Sequence, residues 1–284
     1  GIVSSNKQIL NALNNDKSNA QVATYPFQSL DRITKGIRLG EVNLFTAQEK
    51  MGKTEVMRAI EHHLVKTTDY NIGVIHLEEQ ERRAICGIVG YELKAPCHLP
   101  DSGYSNEDIA KVYASLVKTE DRISFYSHFG SDNPDTILDI IRYMATVCDC
   151  KFIFLDHITM LVTGFEDDDE RKKLDYLSTR LAMLTRELGF TLFLVSHVND
   201  DGKTRGSRNI SKIADLIVSL NRDIEAEDMM VRNTTNVMVK GNRFAGETGP
   251  CKPLWFDPKT YCLSEKDETM IKLDRLEEAN IDKF

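Results

Sequence analysis

Short continuous apolar runs recur along the chain, and the stretches between them carry apolar residues three and four apart. The runs "EVNLFTA" (41–47), "NIGVIHLEE" (71–79), "RISFYS" (122–127), "KFIFLDHI" (151–158) and "FTLFLVSHV" (190–198) predict strands. The helical period appears in "KTEVMRAIEHHLVKT" (53–67), "ERRAICGIVGYELK" (81–94), "PDTILDIIRYMATVC" (134–148) and "DERKKLDYLSTRLAMLTRELG" (169–189), and the polar region near 105–120 also reads as helical. Strands that alternate with helices predict an α/β domain, with a twisted, mainly parallel sheet and helices on both faces. From 233 to 265 the pattern changes to short strands and turns, which predicts an antiparallel C-terminal edge on the same sheet.

The two ends differ from this pattern. "SSNKQILNALNN" (4–15) combines a Ser cap signal with Ile9, Leu10 and Leu13 and predicts a short amphipathic helix. "DKSNAQVATYP" (16–26) is polar and turn-prone and reads as a linker. A helix set apart by a linker has little core of its own, so it either folds back or packs on a neighbouring subunit. The expected organisation is therefore a helix and linker over 1–26, one large domain over 27–265 and an acidic tail over 266–284. In the tail, acids outnumber bases and the chain ends on Phe284.

Composition adds limits. With 284 residues, 41% hydrophobic and 28% charged, the chain is ordinary globular material. Its apolar runs fall short of the roughly 20 residues needed to span a bilayer. A formal net charge of −8 argues against a surface uniformly coated for nucleic acid, but leaves room for a local basic patch. Six scattered cysteines lack zinc-ribbon spacing, and reduced thiols in a cytoplasmic protein are expected.

The sharpest chemical signal is "AQEKMGKT" (47–54). A phosphate loop follows a buried strand and opens a helix, so that backbone N–H groups and the helix N-terminus face the phosphates. Here "VNLFT" supplies the strand and "TEVMRAI" the helix. Lys53 would reach the β- and γ-phosphates of ATP or another nucleoside triphosphate, the Thr54 hydroxyl would hold Mg²⁺, and Gly52 would allow close backbone approach. The strict pattern G-x-x-x-x-G-K-[ST] has Gly where this chain has Ala47. Backbone amides from Gln48, Glu49, Lys50 and Met51 can still cradle phosphate, so a loop poor in glycine loses conformational ease and keeps its donors.

Three more strand ends carry polar groups. Asp156 closes "FIFLD", where a second acidic group meets Mg²⁺ in such sites. Glu78 and Glu79 close "IHLEE", and His197 closes a further run. Open parallel sheets bind ligands at the carboxyl edge of their strands. A carboxylate there can polarise an attacking water.

The segment "FQSLDRITKGIRLGEVNLFTAQEKMGKTEVMRAI" (27–60) resembles the start of the RecA-like P-loop NTPase domain of DnaB-type replicative ring helicases. "VIHLEE", "FIFLDHI", "LFLVSH", "TRGSR" and "VKGNRFAGETG" follow in order. The last of these is most similar to the helicase half of T-seven-like phage primase-helicases and of Twinkle-type mitochondrial helicases. The resemblance implies roles at matching positions. Lys53 and Thr54 would bind phosphates and Mg²⁺, with Asp156 as the Mg²⁺ carboxylate. Glu78 would be the catalytic base, and His197 would sense the γ-phosphate. Arg243 would be an arginine finger for a neighbouring subunit's nucleotide, with Lys240 nearby, and Arg222 and Phe256 would sandwich the adenine. It also implies a hexameric ring that moves 5′-to-3′ on single-stranded DNA, and a terminal tail that docks on the replicative DNA polymerase. The loop after His197, "VNDDGKTRGSRN" (198–209), is shorter than the family's DNA-gripping loop but keeps Lys203, Arg205 and Arg208 for phosphate contacts. Two alternatives remain at this point: a RecA-like ATPase that does not unwind, and a ring subunit that binds nucleotide without turnover.

Overall fold

The computed structural model describes residues 20–48, 50–119, 121–127, 133–162, 167–197 and 209–266. The five predicted strands are β1 (Val42–Ala47), β2 (Asn71–His76), β3 (Ile123–Ser127), β4 (Cys150–Asp156) and β5 (Thr191–His197). Another strand, β6 (Leu216–Arg222), was not evident as an apolar run, because its buried Leu216, Val218 and Leu220 alternate with less buried positions. Together these six run parallel in the order β6–β1–β5–β4–β2–β3. The chain then reverses. β7 (Thr234–Asn242) pairs antiparallel with β6, and β8 (Gly249–Pro250), β9 (Leu254–Phe256) and β10 (Leu263–Glu265) extend that edge, also antiparallel.

The helices are α1 (Gln28–Thr34), α2 (Lys53–Thr67), α3 (Glu81–Leu93), α4 (Asn106–Val117), α5 (Pro134–Thr146), α6 (Asp167–Leu188) and the short α7 (Asn209–Ile213) and α8 (Met229–Arg232). Local chemistry fixes several starts. Ser105 and Asp108 form a capping box for α4, while the Asn133 side chain caps α5 ahead of Pro134 at its first position.

Strand parity divides the core in two. Phe45, Phe152, Phe154 and Phe193 point to one face and pack under Val56, Met57, Ile60 and Leu64 of α2. Their sequence neighbours Leu44, Ile153, Leu155, Leu192 and Leu194 point to the other face, under α5 and α6. The first face is aromatic at its centre, with Phe154 and Phe193 stacked at 4.5 Å and Tyr25 edge-on to Phe193 at 6.4 Å.

Tyr25 marks a departure from the sequence reading. The polar segment 16–26 was expected to be a linker, but residues 22–26 belong to the domain. Ala23 and Ile37 form an antiparallel bridge, and the Tyr25 hydroxyl accepts from Asn43 Nδ2 at 3.0 Å. Tyr25 is 3% exposed. Its polar sequence neighbours hid this, since packing here comes from the distant β5 and not from local periodicity. The helix predicted at 4–15 and the tail 267–284 lie outside the described residues.

Among the described residues, no helix is long and apolar enough to cross a membrane. All six cysteines are free thiols, and Cys86, Cys97 and Cys150 are buried.

Replacing Tyr25 by Ala should destabilise the domain by about 3–5 kcal/mol, as for other buried aromatics. Urea unfolding measures this, and a loss below about 1 kcal/mol would return the segment to the status of a linker.

Candidate functional site

The parallel register lines up the chemistry. Ala47 pairs with His197 across β1 and β5, and His76 pairs with Asp156 across β2 and β4. All four sit at the carboxyl ends of their strands, on one edge of the sheet. From Ala47 the chain turns directly into α2. Ala47 still belongs to β1, with its methyl in the core, so the backbone there is extended and needs no glycine. The left-handed positions fall at Lys50, with φ 60°, and Gly52, with φ 80°. Lys50 takes this conformation at a cost of roughly 1–2 kcal/mol that a glycine would avoid. Met51 is buried, and Glu49 lies outside the described residues.

Lys53 opens α2 and is buried. Its ammonium donates to the carbonyl oxygens of Ala47 at 3.3 Å and Gln48 at 2.5 Å, and it meets His197 Nδ1 at 3.0 Å. The Thr54 hydroxyl donates to Asp156 Oδ2 at 2.8 Å. These two oxygens suit Mg²⁺, which prefers hard oxygen donors and completes its shell with phosphate and water.

Beside them opens a cleft of about 500 Å³, lined among others by Thr54, Glu78, Glu79, Arg83 and Asp156. β2 ends at His76, so both glutamates stand in the turn beyond it. Their environments differ. The Glu78 side chain is 60% exposed and meets His157 Nε2 at 3.2 Å. Glu79 is held by Arg58 Nη2, which reaches both of its oxygens at 2.7 and 2.6 Å, by His76 Nδ1 at 3.2 Å and by Arg83 Nε at 3.4 Å. His76 Nε2 in turn meets the fully buried Glu61 at 3.0 Å.

This network sets the proton affinities. Burial alone would depress the His76 imidazolium, but Glu61, Glu79 and Asp156 outweigh it and raise the pKa to about 10. Burial works against the Glu79 carboxylate, yet hydrogen bonds and charge from His76 and Arg58 hold it below the usual carboxylate range. His157 also touches His197, with ring centroids 4.1 Å apart, and links Glu78 to the phosphate-loop side. His76, His157 and Arg58 were not singled out from the sequence. Both histidines stood in quoted strand-end runs, but only the pairing of strands shows what they touch.

Arg222 and Phe256 meet at Asn233. Arg222 Nη2 donates to Asn233 Oδ1 at 3.0 Å, and the Phe256 amide donates to Asn233 O at 2.9 Å. A Cβ on Gly52 would lie 3.9 Å from Arg222 Nη1, so Arg222 flanks the phosphate loop. The Phe256 ring packs edge-on against Tyr261.

Arg243 lies elsewhere. It is 54% exposed, pairs with Asp215 at 3.5 Å and donates to the Lys212 carbonyl. Asp215 precedes β6, whereas Arg222 ends it. Six strand steps separate the two edges, about 20 Å. Lys240 is exposed and is the extra residue of a bulge in β7, since Ile217 pairs with Gly241 and Val218 with Val239. Lys203, Arg205 and Arg208 lie outside the described residues.

A parallel sheet with a strand–loop–helix cradle, a Thr–Asp pair and a carboxylate on its carboxyl edge is the arrangement of P-loop NTPase folds, the RecA-like fold among them. The chain belongs to the DnaB-like helicase C terminal domain family, whose model matches residues 22–263. It is similar to a DNA helicase/primase of Enterobacteria phage T3, 26% identical over 262 residues, covering 84% of this chain and 46% of the phage protein. It is also similar to the replicative DNA helicase DnaB of Leifsonia xyli, at 20% identity over 226 residues, 78% of this chain and 48% of that one. The chain thus spans about half the length of these relatives. Among solved structures, the ATPase domain of G40P superposes with a TM-score of 0.73 at 17% identity, over 94% of this chain and 100% of that one. A DnaB-like replicative helicase, solved with its interactions with primase, gives 0.71 at 17% identity, over 94% of this chain and 68% of that one.

The His76 pairing has a pH signature. Its folded pKa lies above the ordinary 6.5, so its stabilisation is complete below about pH 6.5 and is lost as pH rises towards about 10. His76→Gln should therefore destabilise the domain more at pH 6 than at pH 10 in urea unfolding. An equal loss at both values would show that the buried imidazole is neutral.

Proposed function

We propose that this domain is the motor of an ATP-driven replicative DNA helicase that moves on single-stranded DNA as a homohexameric ring, in the 5′-to-3′ direction. The observation that carries the reading is the placement of its charges on two opposite edges. Lys53, Thr54, Asp156 and Glu78 share one edge, whereas Arg243 stands about 20 Å away on the other. An arginine so placed has no route to its own subunit's cleft, but it is exposed to a neighbour's.

ATP would bind with its triphosphate over the N-terminus of α2, the Lys53 ammonium against the β- and γ-phosphates, and the adenine between Arg222 and Phe256. Ala47, Gln48, Glu49, Lys50, Met51 and Gly52 would supply the wall of the cradle. Thr54 and Asp156 would hold Mg²⁺, which when bound neutralises charge on the phosphates. Glu78 is exposed to the cleft and orients the attacking water as its base. The oxygens of Glu79 are committed to Arg58, Arg83 and His76, which favours Glu78 for this role. His197 contacts Lys53 directly and so can pass the state of the γ-phosphate to the loop beyond β5. Lys203, Arg205 and Arg208 on that loop would grip DNA phosphates. The N-terminal helix would pack on the next subunit, and the tail would dock on the replicative polymerase in the cytoplasm where replication proceeds. Arginine fingers contribute about 10³–10⁵ in rate, so isolated subunits should hydrolyse ATP slowly.

Lys53→Ala should abolish nucleotide binding, whereas Glu78→Gln and Arg243→Ala should each bind ATP and turn over poorly. Mixing the last two should restore part of the DNA-stimulated ATPase, because complete sites re-form at some interfaces. Absence of rescue with a native protein that stays monomeric in the presence of ATP and DNA would refute the trans finger.

Neutralising Lys203 and Arg205 should weaken single-stranded DNA binding and reduce its salt dependence by about one unit of slope per lost phosphate contact. Unchanged binding in a salt titration would move the DNA contact to another surface.

A further inference from the structure

We propose that Glu79 and Arg58 are positioning residues for Glu78: the buried ion pair between them fixes the turn after β2 against the phosphate-loop helix, and so sets where the base stands over the cleft. The proposal rests on the reading of Glu78 as the base. It explains why the oxygens of the adjacent acid are taken up by Arg58, Arg83 and His76.

Arg58 sits on α2, one helical turn beyond Thr54. Its side chain is 3% exposed. Nη1 meets Glu55 on its own helix at 2.6 Å, and Nη2 bridges both oxygens of Glu79. One guanidinium therefore ties the helix that carries Lys53 and Thr54 to the residue next to Glu78. His76 holds the same carboxylate from β2, and the Leu77 amide donates to Asp156 O at 2.8 Å, which anchors the backbone just before the base. Glu78 itself has only the His157 contact among the ion pairs of the described residues. Its place thus depends on the anchored residues on either side of it.

The packing of α3 adds independent support. Gly87 stands in the interior of that helix, where glycine is a poor choice. A Cβ at Gly87 would fall 1.8 Å from Arg58 Nε, so only glycine leaves room for the buried guanidinium. At this position the helix gives up intrinsic propensity where Arg58 passes.

The test uses the full chain with ATP, Mg²⁺ and single-stranded DNA. Glu79→Gln should lower kcat roughly 10- to 100-fold, as a misplaced base does, while ATP affinity stays within about threefold. Gly87→Ala, which leaves the Glu78 and Glu79 carboxylates unchanged, should show the same split because it displaces Arg58. On a Glu78→Gln background, adding Glu79→Gln should lower the residual rate no further, since a residue that acts only through Glu78 has nothing left to position. Native kcat in a folded Glu79→Gln or Gly87→Ala protein, with Glu78→Gln inactive, overturns the proposal and leaves the base assignment standing. A further loss in the double variant also overturns it. Full turnover by Glu78→Gln instead removes the base assignment on which the proposal rests. Should Glu79→Gln fail to fold, Gly87→Ala decides alone.

Discussion

The four central strands of the parallel sheet, β1, β5, β4 and β2, are buried along nearly their whole length and impose one constraint from which the rest of the structure follows. Every strand in such a sheet ends on the same edge, and both faces must be covered by helices that return the chain to the opposite edge. Charged side chains are costly in the middle of such strands, so the titratable groups gather at the ends. That is why His76, Asp156 and His197 arrive in one row with the end of β1 at Ala47, paired in register two by two. The helix N-terminus that follows β1 points into the same row, and partial positive charge accumulates there before any side chain is counted.

Within that row the phosphate loop does without most of the glycines such loops use. The first position is still strand, so Ala47 costs nothing and contributes a buried methyl. Among the described residues of the loop, the left-handed positions are Lys50 and Gly52, and only the second is met by glycine. A loop of this kind tolerates bulky residues where the backbone, and not the side chains, would face a phosphate.

The ion network beneath the cleft runs against the usual economy of cores. Buried ion pairs seldom add net stability, because desolvation offsets their attraction. Here Glu61, His76, Glu79 and Arg58 join α2 to the turn beyond β2, and directional bonds of this kind fix a geometry that apolar packing would leave looser. A second polar cluster lies on the far edge, where Asp215 accepts from Val42 N and pairs with both Arg186 and Arg243. The two clusters lie on opposite edges of the sheet, the first where β2 ends and the second where β6 begins and β7 ends.

The apolar periods of the sequence determined the parallel core, the helices around it and the strand–loop–helix at 42–67. Those patterns are local, and a strand buried on both faces or an amphipathic helix is legible in a few consecutive residues. Lys53, Thr54 and Asp156 were legible for the same reason, since each closes or follows such an element. Tyr25, β6, His157 and the bonds that distinguish Glu79 from Glu78 were decided only by the tertiary structure. Tyr25 is buried by β5, more than 160 positions away in sequence. Arg58 and Gly87 look like an exposed helix charge and a weak helix position until α2 and α3 come together. Periodicity reports which face of an element is buried, but it does not report what that face meets, and a buried charge takes its meaning from the residue it meets.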